Sequence, residues 1–462
     1  MFVPPGFVSG RSRPPCIVEG RPRPAPIGHP GERSRATRNL VGVTEPLLET
    51  SPSTPASAPL TADVVVVGAG PAGIAAALPL HRSGRSVVVI DKATFPRDKC
   101  CGDGLTTLAL RELETLGLRP ESVPGWFDVD AAWLRSPSGR EVVVPLPDRG
   151  RYAAVAPRND LDHALVELAR DAGVTVLDGH GFRALTTHDD HVEIHVDGVG
   201  VIRCRYVVAA DGMWSPVRKT LGATIDGYRG EWHAFRQYAS NVTGPAAERL
   251  IVWFEEDLLP GYAWSFPLPG NRANIGFGVL RDGDRKVRDM AALWRDLLQR
   301  PHVVEALGNG FRLEGRHTAW PIPARIDEIS LTAGRVLFVG DAAAATDVMT
   351  GEGIGQALLT GRLAARAIMS AGALQPDAAA RRYEREVGRE LFADHRMSKR
   401  LGAVLKHPAG TRGAIRIVAA SGRWGRRNFA RWMFEDEPRA IATSPRRWHR
   451  NFLARPGAYA RG

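Results

Sequence analysis

Three groups of residues in this 462-residue chain have types and spacing suited to chemistry. The first is Gly68-Ala69-Gly70-Pro71-Ala72-Gly73, a G-x-G-x-x-G run. Gly68 permits a tight turn, Gly70 lets the backbone approach a pyrophosphate, and Gly73 lets a helix pack closely on the strand before it. The free N–H groups and positive dipole end of that helix then face the phosphates. Asp91, followed by Lys92, is placed to accept hydrogen bonds from a ribose diol. The second group sits at element ends further on. Arg158 stands before a helix, where it meets a phosphate or adenosine; Asp211-Gly212 and Gly340-Asp341 close two strands; Gly351-Glu352-Gly353-Ile354 opens a helix. The third group pairs a cysteine loop, Lys99-Cys100-Cys101-Gly102-Asp103-Gly104-Leu105, with an aromatic run, Tyr262-Ala263-Trp264-Ser265-Phe266-Pro267.

The elements that must position these residues follow from periodicity. Asp63 to Val67 sets four valines in a row, the pattern of a short strand buried on both faces of a parallel sheet. Ile74 to Arg82 is Ala-rich and helical, and Ser86 to Ile90 is a second valine strand. Leu161, Ala164, Leu165, Leu168 and Ala169 form a helical stripe. Residues 182–208 alternate and carry turn signals, so they predict an antiparallel meander ending in the buried strand Tyr206 to Asp211. Trp232–Tyr238, Leu250–Phe254, Gly261–Phe266 and Ala273–Val279 have period two and predict an antiparallel sheet. Residues 285–308 read as helical, Arg335 to Gly340 as a parallel strand, and the segment from Gly353 to about Met369 as an amphipathic helix.

The fold class is therefore α/β: a Rossmann-like nucleotide-binding domain interleaved with an antiparallel β-sheet substrate domain, with a helical C-terminus. The nucleotide domain is expected at 61–125, 151–225 and 316–375. The substrate domain is expected at 126–150 and 226–315, and a basic helical region at 376–462. Residues 1–60 hold 12 of the 34 prolines and read as a disordered tail, without the apolar core of a secretory leader.

The glycine loop, Arg158, Asp211-Gly212 and Gly340-Asp341 together resemble the flavoprotein superfamily of para-hydroxybenzoate hydroxylase and geranylgeranyl reductase, over residues 62 to 375. That resemblance implies FAD at Gly68, Gly70, Pro71, Ala72, Gly73, Asp91, Lys92, Cys101, Gly102, Asp103, Gly104, Arg158, Asp211, Gly340, Asp341, Gly351, Gly353 and Ile354. It places the helix start at Gly353 by the flavin pyrimidine, where N–H groups and the dipole stabilise the anionic reduced flavin. The cysteine loop is similar to the lysine-x-cysteine-glycine-x-glycine loop of geranylgeranyl reductases and bacterial menaquinone side-chain reductases. Cys101 takes the matching position, and Cys100 stands where proline is common. Tyr262 to Pro267 resembles the Y-x-W-x-F-P signature of the same enzymes, part of their cavity wall.

The resemblance implies an FAD-dependent oxidoreductase that saturates C=C bonds of an isoprenoid chain, a geranylgeranyl lipid or a menaquinone side chain, by hydride transfer from reduced flavin. Cys101, Tyr262 and Trp264 are the candidate catalytic residues, with Cys101, Tyr262 and a water as candidate proton donors. Cys101 also reads as a small residue packed under the flavin, and Glu352 as an acid–base group or a helix cap. Tyr262, Trp264 and Phe266 share one strand face, as sheet core or as the wall of an apolar cavity. His317 and Trp320 read as structural. The rival activities are an FAD monooxygenase or halogenase using NAD(P)H and oxygen, and a flavin electron carrier to quinone. No separate nicotinamide fold is visible, so the reductant is a ferredoxin or transiently bound NAD(P)H.

Charge narrows partners. The net charge of +11 resides mainly at the C-terminus, where residues 381–462 carry 20 basic and 7 acidic side chains. Arginine outnumbers lysine 55 to 6, a bias of composition, so the basicity does not signal nucleic-acid binding. The tryptophans at Arg423-Trp424 and Arg431-Trp432 suit a solvated helical face or an interfacial segment on anionic lipid. No apolar run is long enough to span a bilayer. Four cysteines without disulfide or metal spacing, and thirteen histidines without a metal grouping, suit a reducing cytoplasm, with peripheral contact on the inner face of the membrane. Oligomeric state has no signature in the chain.

Overall fold

The computed structural model describes residues 60–281, 287–372, 375–443 and 454–460. The expected tail, 1–60, lies outside them except for Leu60. The valine run forms β1 (Leu60–Val67), in which Val64, Val65 and Val66 are fully buried. At roughly 1.5–3 kcal/mol for each buried side chain, burial outweighs the ~1 kcal/mol span of intrinsic strand propensity. The chain turns into α1 (Pro71–Arg82), which has proline in its first turn and no side chain capping its N-terminus. It returns as β2 (Val87–Asp91), parallel to β1.

β3 (Gly104–Leu105), α2 (Thr107–Leu116), β4 (Phe127–Val129), β5 (Ala131–Arg135), β6 (Glu141–Pro145), β7 (Ala153–Val155), α3 (Arg158–Asp171) and β8 (Thr175–Asp178) follow. The expected meander is β9 (Phe182–Thr187), β10 (Val192–Val196) and β11 (Gly200–Ala209). After α4 (Pro216–Thr220) come β12 (Trp232–Ser240), β13 (Leu250–Trp253), β14 (Tyr262–Leu268) and β15 (Arg272–Leu280). Next are α5 (Val287–Leu297), α6 (Pro301–Leu307), β16 (Arg312–Ile322), β17 (Thr332–Ala333) and β18 (Val336–Phe338). The rest is helical: α7 (Ile354–Ala371), α8 (Pro376–Val387), α9 (Ala393–Leu405), α10 (Pro408–Ala420) and α11 (Gly422–Met433).

Three sheets result. The first runs β17-β18-β11-β1-β2-β8, parallel except for the β17–β18 pair. Here β11 has two partners on one edge: its start pairs with β10 and its end with β18. The second sheet runs β16-β12-β15-β14-β13-β5-β6 and is antiparallel except between β13 and β5. A small sheet, β3-β7-β4, lies apart from both.

The two large sheets draw their strands alternately along the chain. β16 pairs with β12 from Arg312 to Ile322, so the sheet domain extends past 315. Helix α7 packs along α1, where Gly361 is required: a Cβ there would lie 2.1 Å from the Ala72 carbonyl oxygen. Helices α10 and α11 pack on β6, and Ile415, Val418, Ala430 and Phe434 share a core with Val142, Val144 and Tyr152.

Candidate active site

The loops that leave β1, β2, β11 and β18, the cysteine loop and the start of α7 converge on one cavity of about 980 Å³. Of the residues that the sequence assigns to FAD or to catalysis, only Gly73 is absent from its wall. Gly73 is instead packed against the turn, where a Cβ would lie 1.9 Å from the Gly68 carbonyl oxygen. Gly68 has a φ of +108°, a conformation that favours glycine. The uncapped first turn of α1 therefore opens on the cavity with its N–H groups available to an anion. Asp91 is held rigidly, its two carboxylate oxygens accepting from the N–H groups of Ala69 and Ala93, each at 2.8 Å.

The cysteine loop is clamped to the antiparallel sheet. Cβ atoms at Gly102 and Gly104 would lie 3.4 and 3.1 Å from the Phe266 ring, so the aromatic and glycine signatures meet. The aromatics of β14 do share one face, with ring centroids 6.1 Å apart for Tyr262–Trp264 and 6.0 Å for Trp264–Phe266. Asn274 on β15 ties the joint: its amide donates to the Cys101 carbonyl at 2.9 Å and to Asp103 at 2.7 Å, and it accepts from the Trp264 indole at 3.0 Å. Nothing in the local sequence singles out Asn274.

Several side chains do different work from that expected. The Asp103 carboxylate is occupied by Tyr238 (2.6 Å), Asn274 and the Arg158 N–H (3.3 Å), so it bolts the loop rather than offering itself to a ligand. Burial pushes its pKa up to about 6 against those donors. Arg158 directs Nε and Nη2 to Asp162 at 2.7 and 2.6 Å. Trp264 has its N–H committed to Asn274, and the Tyr262 hydroxyl donates to the Thr350 carbonyl. Burial, then Glu352, raises the Tyr262 pKa above the ordinary range. Burial likewise pushes the Cys101 thiol up to about 11, so it is a neutral thiol at physiological pH. Cys101, Tyr262 and Trp264 all line the cavity wall. Asp211 caps the Val217 N–H at 3.0 Å, and burial pushes it up to about 6.

Asp341 is paired with Lys99 at 2.9 Å; burial opposes its ionisation, but the ammonium holds it below the usual carboxylate range. Asp347 was missed by sequence reasoning. Its Oδ1 accepts from the N–H groups of Met349 and Thr350, and its Oδ2 from Ser398 at 2.6 Å, which folds the loop before α7. Arg439 pairs with it at 3.3 Å. Glu352 is both readings at once. It accepts the Gly355 N–H at 2.9 Å as a cap, and it faces the cavity; burial, then Glu435, pushes it up to about 8.

Trp320, expected to be structural, lines the cavity; His317 stacks on Phe235 with centroids 4.6 Å apart. The inner faces of α10 and α11 also line it through Ile415, Val418, Phe429 and Trp432. Away from the cavity, the β9–β10 hairpin gathers His188, His191 and Glu193, whose ligand atoms lie within 4.8 Å, a grouping the histidine spacing did not suggest. Arg203 already pairs with Glu193 at 2.8 Å.

A backbone cradle at one helix start, a second helix start beside an aromatic sheet and a rigid carboxylate at the end of β2 fit FAD and define an FAD-dependent oxidoreductase. The family model described as an FAD binding domain matches residues 61–359. Menaquinone reductase of Mycobacterium tuberculosis is 36% identical over 352 residues, covering 70% of this chain and 81% of that protein. Digeranylgeranylglycerophospholipid reductase 1 of Methanopyrus kandleri is 32% identical over 318 residues, covering 67% of this chain and 80% of that protein. The chain belongs to this FAD-binding family and, within it, to the family of these reductases. A geranylgeranyl bacteriochlorophyll reductase-like protein of Thermoplasma acidophilum shares the fold with a TM-score of 0.70 at 20% identity, over 84% of this chain and 99% of that one.

Proposed function

We propose that this enzyme reduces C=C bonds of an isoprenoid chain, carried by a menaquinone or a geranylgeranyl lipid. The observation that supports this reading best is the shape and lining of the cavity. It runs from the two helix starts past Tyr262, Trp264 and Phe266 to the apolar inner faces of α10 and α11. Such a wall suits a long apolar chain and excludes water from an alkene, which is a poor hydride acceptor. FAD, when reduced, supplies the hydride. Gly68, Gly70, Pro71 and Ala72 would hold its pyrophosphate, Asp91 with Lys92 its ribose, and Asp341 its ribityl chain. Cys101 to Gly104 would cover it and Gly351 to Ile354 would face its pyrimidine. Arg158, Asp211 and Gly340 complete the wall around it.

Among the described residues no helix is long and apolar enough to cross a membrane. The substrate class nevertheless resides in lipid. Helices α9 to α11 expose Val404, Ile417 and Trp424 as well as Arg416 and Arg423, and we assign these residues to contact with an anionic lipid surface.

The test is an anaerobic single turnover. Reduced holoprotein is mixed with geranylgeranyl lipids or menaquinones, and flavin absorbance is followed with product mass. A gain of two hydrogens on the prenyl chain is expected. A quinone reduced with its side chain unchanged would favour an electron carrier, and reaction only on admitting oxygen would favour a monooxygenase.

A further inference from the structure

Saturating an alkene consumes one proton for every hydride, and the proton must come from a group facing the cavity. Cys101 is a neutral thiol with an elevated pKa, and the Tyr262 hydroxyl is committed to the Thr350 carbonyl. Glu352 remains. It precedes the first turn of α7, faces the cavity beside Cys101 and Tyr262, and is anchored by the Gly355 N–H at 2.9 Å.

Behind that turn lies a second, polar chamber of about 550 Å³, walled in part by Asp347, Gln356, Glu435 and Arg439. Glu435 binds the same helix: Gln356 Nε2 donates to its Oε1 at 2.8 Å, Arg439 at 3.1 Å, and Thr106 to its Oε2 at 3.0 Å. Glu435 holds this position with a φ of +58°, a costly conformation for a residue with a side chain. Gln356 is buried, and its Oε1 has no partner among the described residues although it faces the chamber. A polar chamber of this size has room for water.

We propose that Glu352 is the proton donor of the reduction and is recharged through Glu435 by water entering the polar chamber. This rests on the reductase reading above. Burial raises both carboxyls, and Glu352 also feels the negative charge of Glu435. Asp347 adds negative charge beside them, while Arg439 draws charge onto Glu435 and leaves the proton on Glu352. The hydride to one alkene carbon would be supplied by FAD when bound and reduced. The Glu352 O–H bond breaks as a C–H bond forms at the other carbon, and the O–H electron pair stays on the carboxylate. A proton from the chamber restores the acid.

The test uses FAD-loaded wild type, E352Q, E352D and E435Q. Infrared titration of the protein without substrate is expected to show a carboxylic-acid band at pH 7 that E352Q lacks. Single-turnover reduction in E352Q, measured per bound FAD, should fall by roughly 10²-fold or more, and E352D should recover part of it. Removing the neighbouring charge in E435Q should lower the Glu352 pKa, moving the alkaline fall in rate to lower pH. E352Q at the wild-type rate, or an infrared titration with Glu352 ionised at pH 7, overturns the proposal. Wild type that reduces no prenyl chain removes the reductase reading and the donor role with it. The infrared result is read separately from that outcome.

Discussion

Cys101 occupies the most conspicuous position in the cysteine loop, yet its surroundings make it chemically quiet. Only a thiolate alkylates, and burial pushes this thiol up to about 11. At pH 8 iodoacetamide should modify Cys101 about two orders of magnitude more slowly than an unperturbed thiol, with a rate still rising above pH 10. Peptide mapping in a C100S background separates it from its neighbour. Asp103 carries a different prediction. Three donors converge on its carboxylate, so D103N turns one amide N–H toward a donor and should cost ~1–3 kcal/mol, read as a fall in Tm. The pH dependence has a definite sign. Its folded pKa of about 6 is above the ordinary value of 3.8, so the native state favours the protonated acid. The contribution of Asp103 to stability is highest below pH 4 and is lost as pH rises to about 6. The stability difference between wild type and D103N should therefore shrink across that window.

At the scale of elements, α7 is held to α1 by an approach only glycine allows. G361A places a Cβ 2.1 Å from the Ala72 carbonyl oxygen and should cost ~1–3 kcal/mol by overpacking. Because Ala72 lies in the first turn of α1, the variant should also retain less FAD, measured as the visible-to-ultraviolet absorbance ratio after gel filtration. Gly402 lies inside α9, where a Cβ would meet no heavy atom within 4 Å, and G402A should stabilise by up to ~1 kcal/mol. The β1–loop–α1–β2 unit was legible in the chain because four valines and a glycine fingerprint are local signals with a fixed order. β16 was not: Arg312 to Ile322 is an edge strand with most of its residues exposed or half-buried, so it has no apolar alternation to read. Pro321 falls on that edge, where a missing N–H is tolerated. The site divides the same way. The glycine and Asp91 motifs announce themselves, whereas the links Asp103–Tyr238, Asp347–Arg439 and Gln356–Glu435 join residues from distant segments and leave no pattern in either partner's neighbourhood.

At the scale of the whole molecule, α10 and α11 have two faces with opposite tasks. Thr411, Ile415, Val418 and Phe429 face the cavity, while Ile417 and Trp424 are 73% and 74% exposed. In the proposed lipid contact, the exposed Arg416 and Arg423 would supply charge that phosphatidylglycerol complements, each worth about 1 kcal/mol near such a surface, whereas Arg427 already pairs with Asp148 at 2.7 Å. Docked this way, the helices that roof the cavity would also be the ones touching the lipid that holds its substrate. Wild type is expected to co-sediment with phosphatidylglycerol vesicles, less so as salt rises, and to bind phosphatidylcholine weakly. The I417D/W424D variant should lose roughly tenfold or more of that binding, from the lost burial of two apolar side chains. Its turnover of a short, water-soluble prenyl substrate should remain that of wild type, since neither residue faces the cavity. Equal binding of both vesicle types, or a variant that binds as wild type does, would detach the basic face from any lipid role and leave it as the solvated back of the cavity roof.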